Sequence, residues 1–549
     1  MIKTYLSDLK REFAGYSIEA FGKDLMAAAT VAAVALPLAL AFGVSSGVTA
    51  ASGMITAIVA GVIISAFSGA SFQISGPTGA MTAILVTLAS KYGVKGIFIA
   101  GFIAGVMLIG AGLLRLGRAI YFIPSSVISG FTSGIALIIA LGQLDAFLGI
   151  ATHDDLVLMR VLSYFTMGAV PDFRTIAIGV LTVAIMIIWP KKLAAKVPGS
   201  LVALVVALIV NTFLNWDIAV VGEIPKTLLL SERLALGDLF NRQLFDYFMP
   251  ALSIAALAMI ESLLCGASAG KMKNEVMNAD REIVAQGIGN LVVPFFGGVP
   301  ATAAIARTSV AIKSGSVTRL TGILHAVFLL LSMFLLSGFM SKIPLAALAG
   351  VLFVTAWRMN DWQSINFIFG HRYKSGMAKF VITMVATVML DLTQAIVIGV
   401  FFSVLLIIVK LTRFNIDVVD VNRNRLVKKG VKVTADIAPG SVKVAYLTGN
   451  LFFGVTQKIR ELTVGLDNCK VLILSMRGVP MIDVSGIQAL LEVVVALQEQ
   501  GIKVLFCSMQ RDVIDELQRA NIDLLIDANW AFDNVEAAVV HIQQHPNNI

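Results

Sequence analysis

Two ionisable residues stand inside long apolar stretches of this sequence. Glu261 lies within Ala-Leu-Ala-Met-Ile-Glu-Ser-Leu-Leu-Cys (256–265), and Arg307 lies within Ala-Ala-Ile-Ala-Arg-Thr (303–308). A charge held at the centre of a bilayer costs roughly 3 kcal/mol or more, so each residue needs a partner or a function. Two interpretations follow. In the first, the residues form a structural ion pair between two spans. In the second, which can coexist with the first, Arg307 attracts an anion while Glu261 takes up a proton.

Two short apolar segments begin close to a proline, and each is typical of a broken helix. One follows Gly76-Pro77-Thr78, and the other follows Gly298-Val299-Pro300-Ala301-Thr302. A half-helix that starts at the bilayer midplane points its free N–H groups and its positive dipole end into a cavity. Two such starts would form an anion site from backbone alone. The alternative is a pair of proline-kinked helices without a ligand.

The spacing of these features indicates an internal repeat. Pro77 and Pro300 are separated by nearly the same number of residues as Pro124 and Pro344, and Pro37 and Glu261 are separated by a similar number. We predict two homologous halves, near residues 22–211 and 246–411. An odd number of spans in each half requires the second half to be inverted, and inverted repeats are typical of transporters. His325, also within an apolar run, is expected to be a hydrogen-bonded packing residue.

The composition requires a lipid environment for most of the chain. Of the 549 residues, 58% are hydrophobic and 14% are charged, against roughly 25% charged in soluble domains. The mean hydropathy of +0.87 excludes an ordinary soluble enzyme and a disordered protein. With about 20 residues taken to cross a bilayer, we count about fourteen candidate spans. They are centred near Val34, Val59, Ile84, Ala104, Ala136, Val180, Val205, Leu257, Leu291, Ala306, Leu329, Leu348, Met384 and Ser403.

The positive charges predict the orientation of the chain. With the N-terminus placed inside, the inner segments hold about 20 Lys and Arg residues and the outer segments about 8, although Lys91 and Lys95 oppose the trend. An even number of spans returns the C-terminus to the cytoplasm. We therefore expect a multi-pass protein of the plasma membrane (the inner membrane of a bacterium) with both termini cytoplasmic. The net charge of +8 orients the chain, and without a basic stripe interleaved with aromatics we expect no nucleic-acid partner.

Other classes of site are not visible in the sequence. Cys265, Cys469 and Cys507 are far apart and show no metal-ligand spacing, so we expect neither a disulfide nor a metal site. No nucleophile–base pair and no cofactor motif stand out, and we expect no enzymatic activity and no cofactor. Without an ATP-binding P-loop, the energy for any transport must come from an ion gradient.

The domain organisation follows from a change in composition and hydrophobic pattern after Leu411. Residues 1–22 are predicted to be a cytoplasmic N-terminal segment, and residues 23–411 the membrane domain. Residues 412–432 are polar and basic and are predicted to be a linker. Residues 433–549 alternate strand and helix patterns, which indicates one small α/β domain.

The residues above resemble those of the SulP sulfate-permease family of anion transporters, the bacterial relatives of pendrin and prestin. The resemblance covers nearly the full length. It is carried by residues 35–43 (Ala-Leu-Pro-Leu-Ala-Leu-Ala-Phe-Gly), Ser75 to Thr78, residues 128–134 (Ile-Ser-Gly-Phe-Thr-Ser-Gly), the Glu261 segment and Ala301 to Arg307. The C-terminal unit resembles a STAS domain, with Asp483-Val484-Ser485-Gly486 at its signature loop.

The resemblance implies a polytopic α-helical membrane protein. Its family fold has about fourteen segments in two inverted repeats of about seven, arranged as core and gate domains, and a homodimer is expected. Substrate would bind between the third and tenth segments. The implied binding residues are Phe42, Gly76, Pro77, Thr78, Ala303, Ala304, Ile305, Ala306 and Arg307.

Departures from the family pattern bear on substrate and coupling. Leu38 stands where several relatives have Gln, and Ala304 and Ala306 stand where some have Ser, so backbone amides must contribute more of the binding. The family's sodium-coupled bicarbonate carriers place Asp at the position of Glu261 and Thr at that of Cys265. Since Na⁺ prefers several hard oxygens, a proton is favoured as coupling ion, with Na⁺ as the alternative. Val484 occupies the usual phosphoacceptor position of the STAS loop.

The predicted function is secondary active transport of a small anion by alternating access, as proton-coupled symport. Sulfate, bicarbonate and C4-dicarboxylates all suit a backbone-amide site with one arginine. The alternatives are a sodium-coupled bicarbonate-type symporter, an anion channel, or a membrane anion sensor or scaffold that signals through the STAS domain to a cytosolic protein partner. A nucleobase carrier on the same fold is disfavoured by Arg307.

Overall fold

The computed structural model describes residues 2–118, 123–150, 152, 163–164, 170–190, 193, 197–240, 242–390, 392–421, 438, 440–522, 526 and 530–545. The chain divides into two compact units, Met1–Ser403 and Val404–Ile549. The boundary falls inside the last membrane helix, and the two units are described separately.

The first unit is built from helices, and every predicted span centre lies in one of them. Among the described residues, 6 helices are long and apolar enough to cross a membrane by themselves, and shorter apolar helices accompany them. The protein is therefore an integral, multi-pass membrane protein. The helices are α1 (Ile2–Glu12), α2 (Ile18–Ser45), α3 (Ala50–Phe67), α4 (Gly79–Leu113), α5 (Ser125–Gly142), α6 (Leu144–Leu148), α7 (Phe173–Ile188), α8 (Gly199–Leu214), α9 (Phe248–Lys273), α10 (Ala279–Val292), α11 (Ile305–Lys313), α12 (Leu320–Met340), α13 (Leu345–Met359), α14 (Trp362–Gly370), α15 (Lys374–Met389) and α16 (Leu392–Leu411).

Matching positions of the two sequence halves have matching local structure. Helix α5 follows Pro124 and helix α13 follows Pro344, and both prolines are N-cap residues. Their ψ angles are 144° and 137°. Proline suits a helix start because its φ is fixed near the helical value and its missing N–H has no partner to lose there.

Helix α11 and the first part of α4 are too short to cross a bilayer alone. Helix α11 has 9 residues, which span about 14 Å of a hydrocarbon core about 30 Å thick. Helix α4 is broken at Gly93, whose φ is 69°, so that a short helix begins at Gly79 and a second runs to Leu113. The start of the first short helix at Gly79 agrees with the half-helix that was predicted to start near Pro77.

A two-residue strand precedes each of these short helices. Strand β1 (Ser75–Gly76) pairs antiparallel with β2 (Thr302–Ala303). We expected the second half-helix to start near Pro300, but it starts later, at Ile305. The reason is that residues 302–303 remain extended to pair with β1, and this long-range partner was not visible in the sequence.

Glycines bring the backbones of neighbouring helices into contact. A Cβ at Gly105 of α4 would lie 2.5 Å from the backbone nitrogen of Leu291 in α10. A Cβ at Gly287 of α10 would lie 2.7 Å from the nitrogen of Ile109. Small residues permit such close approach in membrane helices. Helix α10 is thereby held tightly against the long part of α4.

The second unit is an α/β domain with one five-stranded sheet. The strand order is β3-β4-β5-β6-β7. Strand β3 is antiparallel to β4, and the other neighbours are parallel. Buried apolar residues cover both faces of the sheet. The elements are β3 (Asn415–Asp420), β4 (Val442–Thr448), α17 (Thr456–Arg460), β5 (Val471–Gly478), α18 (Val484–Glu499), β6 (Lys503–Cys507), α19 (Arg511–Arg519), β7 (Ala531–Phe532) and α20 (Val535–Gln544).

One part of the predicted linker, 412–432, is instead strand β3. Its residues Asn-Ile-Asp-Val-Val-Asp are mostly exposed, because it is an edge strand with one neighbour. Charged residues are common on such edges, where they oppose pairing with other chains, and they made the segment resemble a connector. Residues 422–437, including the predicted domain start at 433, lie outside the described residues.

Candidate functional site

The starts of helices α4 and α11 meet inside the first unit, at the β1–β2 pair. Ser75, Thr302 and Ala303 are fully buried. Backbone at this depth needs partners for its N–H and C=O groups, because lipid offers none. Side chains supply several of them. Ile74 N donates to Thr308 Oγ1 over 3.0 Å, and Ala303 N donates to Ser262 Oγ over 3.2 Å.

The first N–H groups of both helices are not capped by side chains. The earliest helical bonds run from Thr82 N to the carbonyl oxygen of Thr78 and from Thr308 N to that of Ala304. Thr78 and Ala304 are the N-cap residues, and no side chain in the described part of the molecule caps either helix. Alanine has no capping group. Uncapped N–H groups at the positive end of a helix are a ready anion-binding surface.

The carboxyl group of Glu261 explains why Thr78 does not cap its own helix. Threonine is a preferred N-cap, but here its Oγ1 donates to Glu261 Oε2 over 2.9 Å. Thr302 Oγ1 donates to the same oxygen over 2.9 Å. Glu261 lies on α9 and is partly exposed. We call residues 71–82, which contain β1 and the start of α4, the first crossing segment, and residues 300–308, which contain β2 and the start of α11, the second crossing segment. One hydroxyl from each crossing segment therefore holds this carboxyl group.

Arg307 brings its guanidinium against the first crossing segment. The residue is 1% exposed. Nη2 donates to the carbonyl oxygen of Pro77 over 2.7 Å, while Nη1 has no hydrogen-bond partner among the residues that the structure describes. A Cβ at Gly76 would lie 2.5 Å from Nη1. Arg307 thus places a buried cation, with donor capacity to spare, beside the two helix starts.

The structural ion pair between Glu261 and Arg307, the first of our two interpretations, is not formed. Both residues are described, and no nitrogen–oxygen contact of 4.0 Å or less joins them. The charge of Arg307 is instead turned toward the carbonyl oxygen of Pro77. Cys265, four residues after Glu261, has its Sγ 3.4 Å from Thr308 Oγ1.

The remaining predicted residues surround the same place. The ring of Phe42 is buried beside the start of α4, since a Cβ at Gly79 would lie 3.2 Å from its Cε1. Ala303 and Ala304 are buried in the β2 segment. Ile305 is 42% exposed, and Ala306 is also exposed, so the first turn of α11 is partly accessible. The structure therefore brings all the predicted binding residues to the two helix starts.

The sequence patterns did not single out Asp24, an acidic residue near the start of the first long apolar helix. Asp24 in α2 is fully buried and accepts hydrogen bonds from Thr318, Thr321 and Tyr16. Burial and the Asp24 carboxylate raise the pKa of Tyr16 to about 12, so the phenol remains a donor. Because these bonds satisfy Asp24 fully, its role is to fix the segment before α12.

A metal-ligand cluster is not found in the part of the chain that the structure describes, where no three His, Cys, Asp or Glu side chains converge. His325 is buried, with Nδ1 2.6 Å from the carbonyl oxygen of Gly322. That contact is the one expected of a hydrogen-bonded packing residue.

Comparison with known proteins decides the family. The sulfate permease family model matches residues 21–386, and the STAS domain model matches residues 433–538. The chain belongs to the sulfate permease family. It is 33% identical over 539 residues to the putative sulfate transporter YvdB of Bacillus subtilis, an alignment that covers 95% of this chain and 98% of YvdB. The resemblance seen in the sequence and the class of anion carriers are thereby confirmed.

Other members of the sulfate permease family are similar in sequence and structure. The bicarbonate transporter BicA of Picosynechococcus sp. is 30% identical over 487 residues, covering 85% of both chains. The solved transmembrane domain of a cyanobacterial BicA is 29% identical and has a TM-score of 0.62, covering 71% of this chain and 98% of that one. A structure of SLC26A9 has a TM-score of 0.80 at 16% identity, covering 98% and 92%, which shows the shared fold.

Proposed function

We propose that this protein is a secondary active transporter that moves a small anion by alternating access and couples it to protons. One observation carries the proposal. The carboxyl group of Glu261 is held by Thr78 of one crossing segment and Thr302 of the other, beside two uncapped helix starts and Arg307. An ionisable group bonded to both halves of an inverted repeat is well placed to sense the state of the carrier.

The site suits a small oxyanion. Backbone N–H groups of two helix starts and one guanidinium can donate hydrogen bonds to an oxyanion, and Nη1 of Arg307 has no hydrogen-bond partner among the described residues. Sulfate, bicarbonate and C4-dicarboxylates share this chemistry. The names of the relatives YvdB and BicA, a putative sulfate transporter and a bicarbonate transporter, support the first two.

The charges at the site support proton coupling. While the site is empty, Arg307 attracts the negative charge of Glu261 through space, although no ion pair forms. A bound anion offsets the charge of Arg307 and places a negative charge near Glu261, which favours the protonated carboxyl. Anion and proton then bind together, and the protein is a symporter.

Sodium coupling is the second candidate. Glu261, Thr78 and Thr302 bring a carboxylate and two hydroxyl oxygens to one place, and oxygens are the ligands that Na⁺ prefers. Against it, the thiol of Cys265 faces Thr308 and offers no further oxygen.

The proposal also covers the membrane topology, the oligomeric state and the role of the STAS domain. We place both termini in the cytoplasm, on the basis of the charge distribution. We infer a homodimer, and a STAS domain that serves as a folding and docking module for a cytosolic protein partner.

Uptake by vesicles containing the purified protein tests the proposal. Radiolabelled sulfate, bicarbonate and succinate are each supplied with an inward proton gradient, an inward Na⁺ gradient or neither. We expect accumulation of one anion on the proton gradient in the absence of Na⁺. Uptake that needs Na⁺ and ignores pH supports the sodium alternative. Equilibration without accumulation indicates a channel, and binding without uptake indicates a sensor or scaffold.

A further inference from the structure

A row of polar side chains follows one face of α10, and the proposed transport chemistry does not use it. Glu282, Gln286 and Asn290 are four residues apart, so they lie above one another on the helix. All three are fully buried. Buried polar groups in a membrane domain are costly unless each has a partner. The partners of this row lie in the two crossing segments and at the end of α3, and only Gln286 Oε1 has no partner among the described residues.

Asn290 binds the second crossing segment at the residue before β2. Its Nδ2 donates to the carbonyl oxygen of Ala301 over 2.9 Å, and Ala301 N donates to Asn290 Oδ1 over 2.7 Å. The side-chain amide therefore satisfies both backbone groups of one residue, as a neighbouring strand would. Ala301 gains a fixed position although β2 extends only from Thr302 to Ala303.

Gln286 binds the first crossing segment one turn away. Its Nε2 donates to Ser75 Oγ in β1 over 2.9 Å and to Glu282 Oε1 over 2.8 Å. Glu282 Oε2 in turn accepts from Ser68 Oγ over 2.5 Å and from Gly69 N over 2.9 Å. The row thus connects α10 to the end of α3 and to both crossing segments.

We propose that Gln286 and Asn290 are positioning residues that fix the separation of the two half-helix starts and thereby set the affinity for the anion. The inference rests on the proposed function, because it assumes that the anion binds at those starts. The β1–β2 pair is only two residues long, so it holds the register of the segments weakly by itself. Bonds from one rigid helix to both segments preorganise the donors, which lowers the cost of binding.

A double-mutant cycle between Gln286 and Ser75 tests this role. Gln286→Leu, Ser75→Ala and the double variant are compared for half-saturation and maximal rate of uptake of the transported anion into vesicles. Gln286→Leu is expected to raise half-saturation about tenfold, since a buried hydrogen-bonded group is lost. Adding Ser75→Ala to Gln286→Leu should change half-saturation little further, because the hydrogen bond between the two side chains is already broken.

Matched controls separate positioning from general stability. Thr182 in α7 is fully buried. Among the residues that the structure describes, its hydroxyl bonds only the carbonyl oxygen of Ile178 within its own helix, at 2.9 Å. Thr182→Val should leave half-saturation unchanged. Thermal unfolding is followed for every variant. Should Gln286→Leu fail to fold, Ser75→Ala alone removes the same bond from the other side and should raise half-saturation by a similar factor.

Additive effects in the cycle would overturn the inference, as would a loss of maximal rate with unchanged half-saturation. Arg307→Ala is measured in parallel to separate this inference from the proposed function. An unchanged half-saturation in Arg307→Ala means that the anion site itself is misplaced, and both proposals fail. A raised value in Arg307→Ala together with an additive cycle rejects only the positioning role of α10.

Discussion

The two crossing segments share a geometry but not a chemistry. Each has a two-residue strand, pairs with the other in antiparallel register, and leads into a helix whose first N–H groups no side chain caps within the described chain. Residues 71–82 of the first segment carry no charged side chain. Both charges at the site, Glu261 and Arg307, come from the second half of the sequence.

Because both charges lie in the second half of the sequence, we expect the two halves to have different functions. Each half contributes the backbone N–H groups of one uncapped helix start, so the proposed anion site spans the pair. The first half adds a carbonyl at Pro77 and a hydroxyl at Thr78, which hold the two charged groups of the second half. Substitutions in the second half should therefore change which ions are bound. Substitutions in the first half should change how well the charges are placed.

Removing the cation from the second half should have the largest effect on affinity. Arg307→Ala is expected to raise half-saturation for the anion by about 10- to 100-fold, since a charged hydrogen bond contributes about 1.5–3 kcal/mol. Arg307→Lys should recover part of the loss because it restores the charge without the guanidinium geometry. Binding by the purified variants and their thermal unfolding are measured together. Wild-type affinity in a folded Arg307→Ala variant would make the residue structural only.

A change in the first half that displaces this cation should have a smaller effect. In Gly76→Ala the new Cβ would lie 2.5 Å from Nη1 of Arg307, so the guanidinium must shift. We expect half-saturation to rise several-fold, and no further rise when Gly76→Ala is combined with Arg307→Ala. Gly222→Ala is the matched control, because its φ of 82° also strains an alanine while nothing lies within 4 Å of its Cβ. Equal behaviour of the two alanine variants would contradict the contact between Gly76 and Arg307.

The hydroxyl groups of Thr78 and Thr302, which both bond Glu261, test whether the two halves hold this carboxyl group equally. Thr78→Val and Thr302→Val each remove one hydrogen bond to the same carboxyl oxygen. We expect similar, few-fold decreases in proton-driven accumulation, since each bond contributes about 1 kcal/mol. Exchange of anion between preloaded vesicles should be affected less. If one variant abolishes accumulation and the other behaves as wild type, the halves do not share Glu261.

The STAS signature loop should give the smallest effect. Val484 is 70% exposed at the usual phosphoacceptor position, and Asp483 caps α18 by accepting from Gly486 N over 2.7 Å. This capping does not involve the hydroxyl of Ser485. Ser485→Ala is therefore expected to change the rate of uptake less than about twofold, because no cap is lost. A large loss of transport in cells would show regulation at this loop.

The sequence allowed the membrane helices and the first half-helix to be predicted, since apolar runs and Gly-Pro are local signals. The start of the second half-helix at Ile305 depends on the pairing of β2 with β1, which lies far away in the chain. The absence of an ion pair between Glu261 and Arg307 could not be predicted either. A sequence shows which residues are charged, but not which carbonyl or hydroxyl groups form hydrogen bonds with them.

Two other features were missed for related reasons. Glu282 stands beside Asp280 and Arg281, so the start of α10 resembles a polar loop, although its four-residue spacing to Gln286 and Asn290 was a usable signal of one helix face. The edge strand β3 carries charges because one side has no neighbour, and its composition could not be told from that of a linker.

Proton coupling through Glu261 is the central claim, and the variant Glu261→Gln tests it most directly. Glutamine has nearly the shape of the protonated carboxyl but cannot release a proton. Wild type is expected to accumulate anion on an inward proton gradient, and Glu261→Gln is expected to lose this accumulation while still exchanging anion between preloaded vesicles. Accumulation by Glu261→Gln on the same proton gradient would contradict the claim.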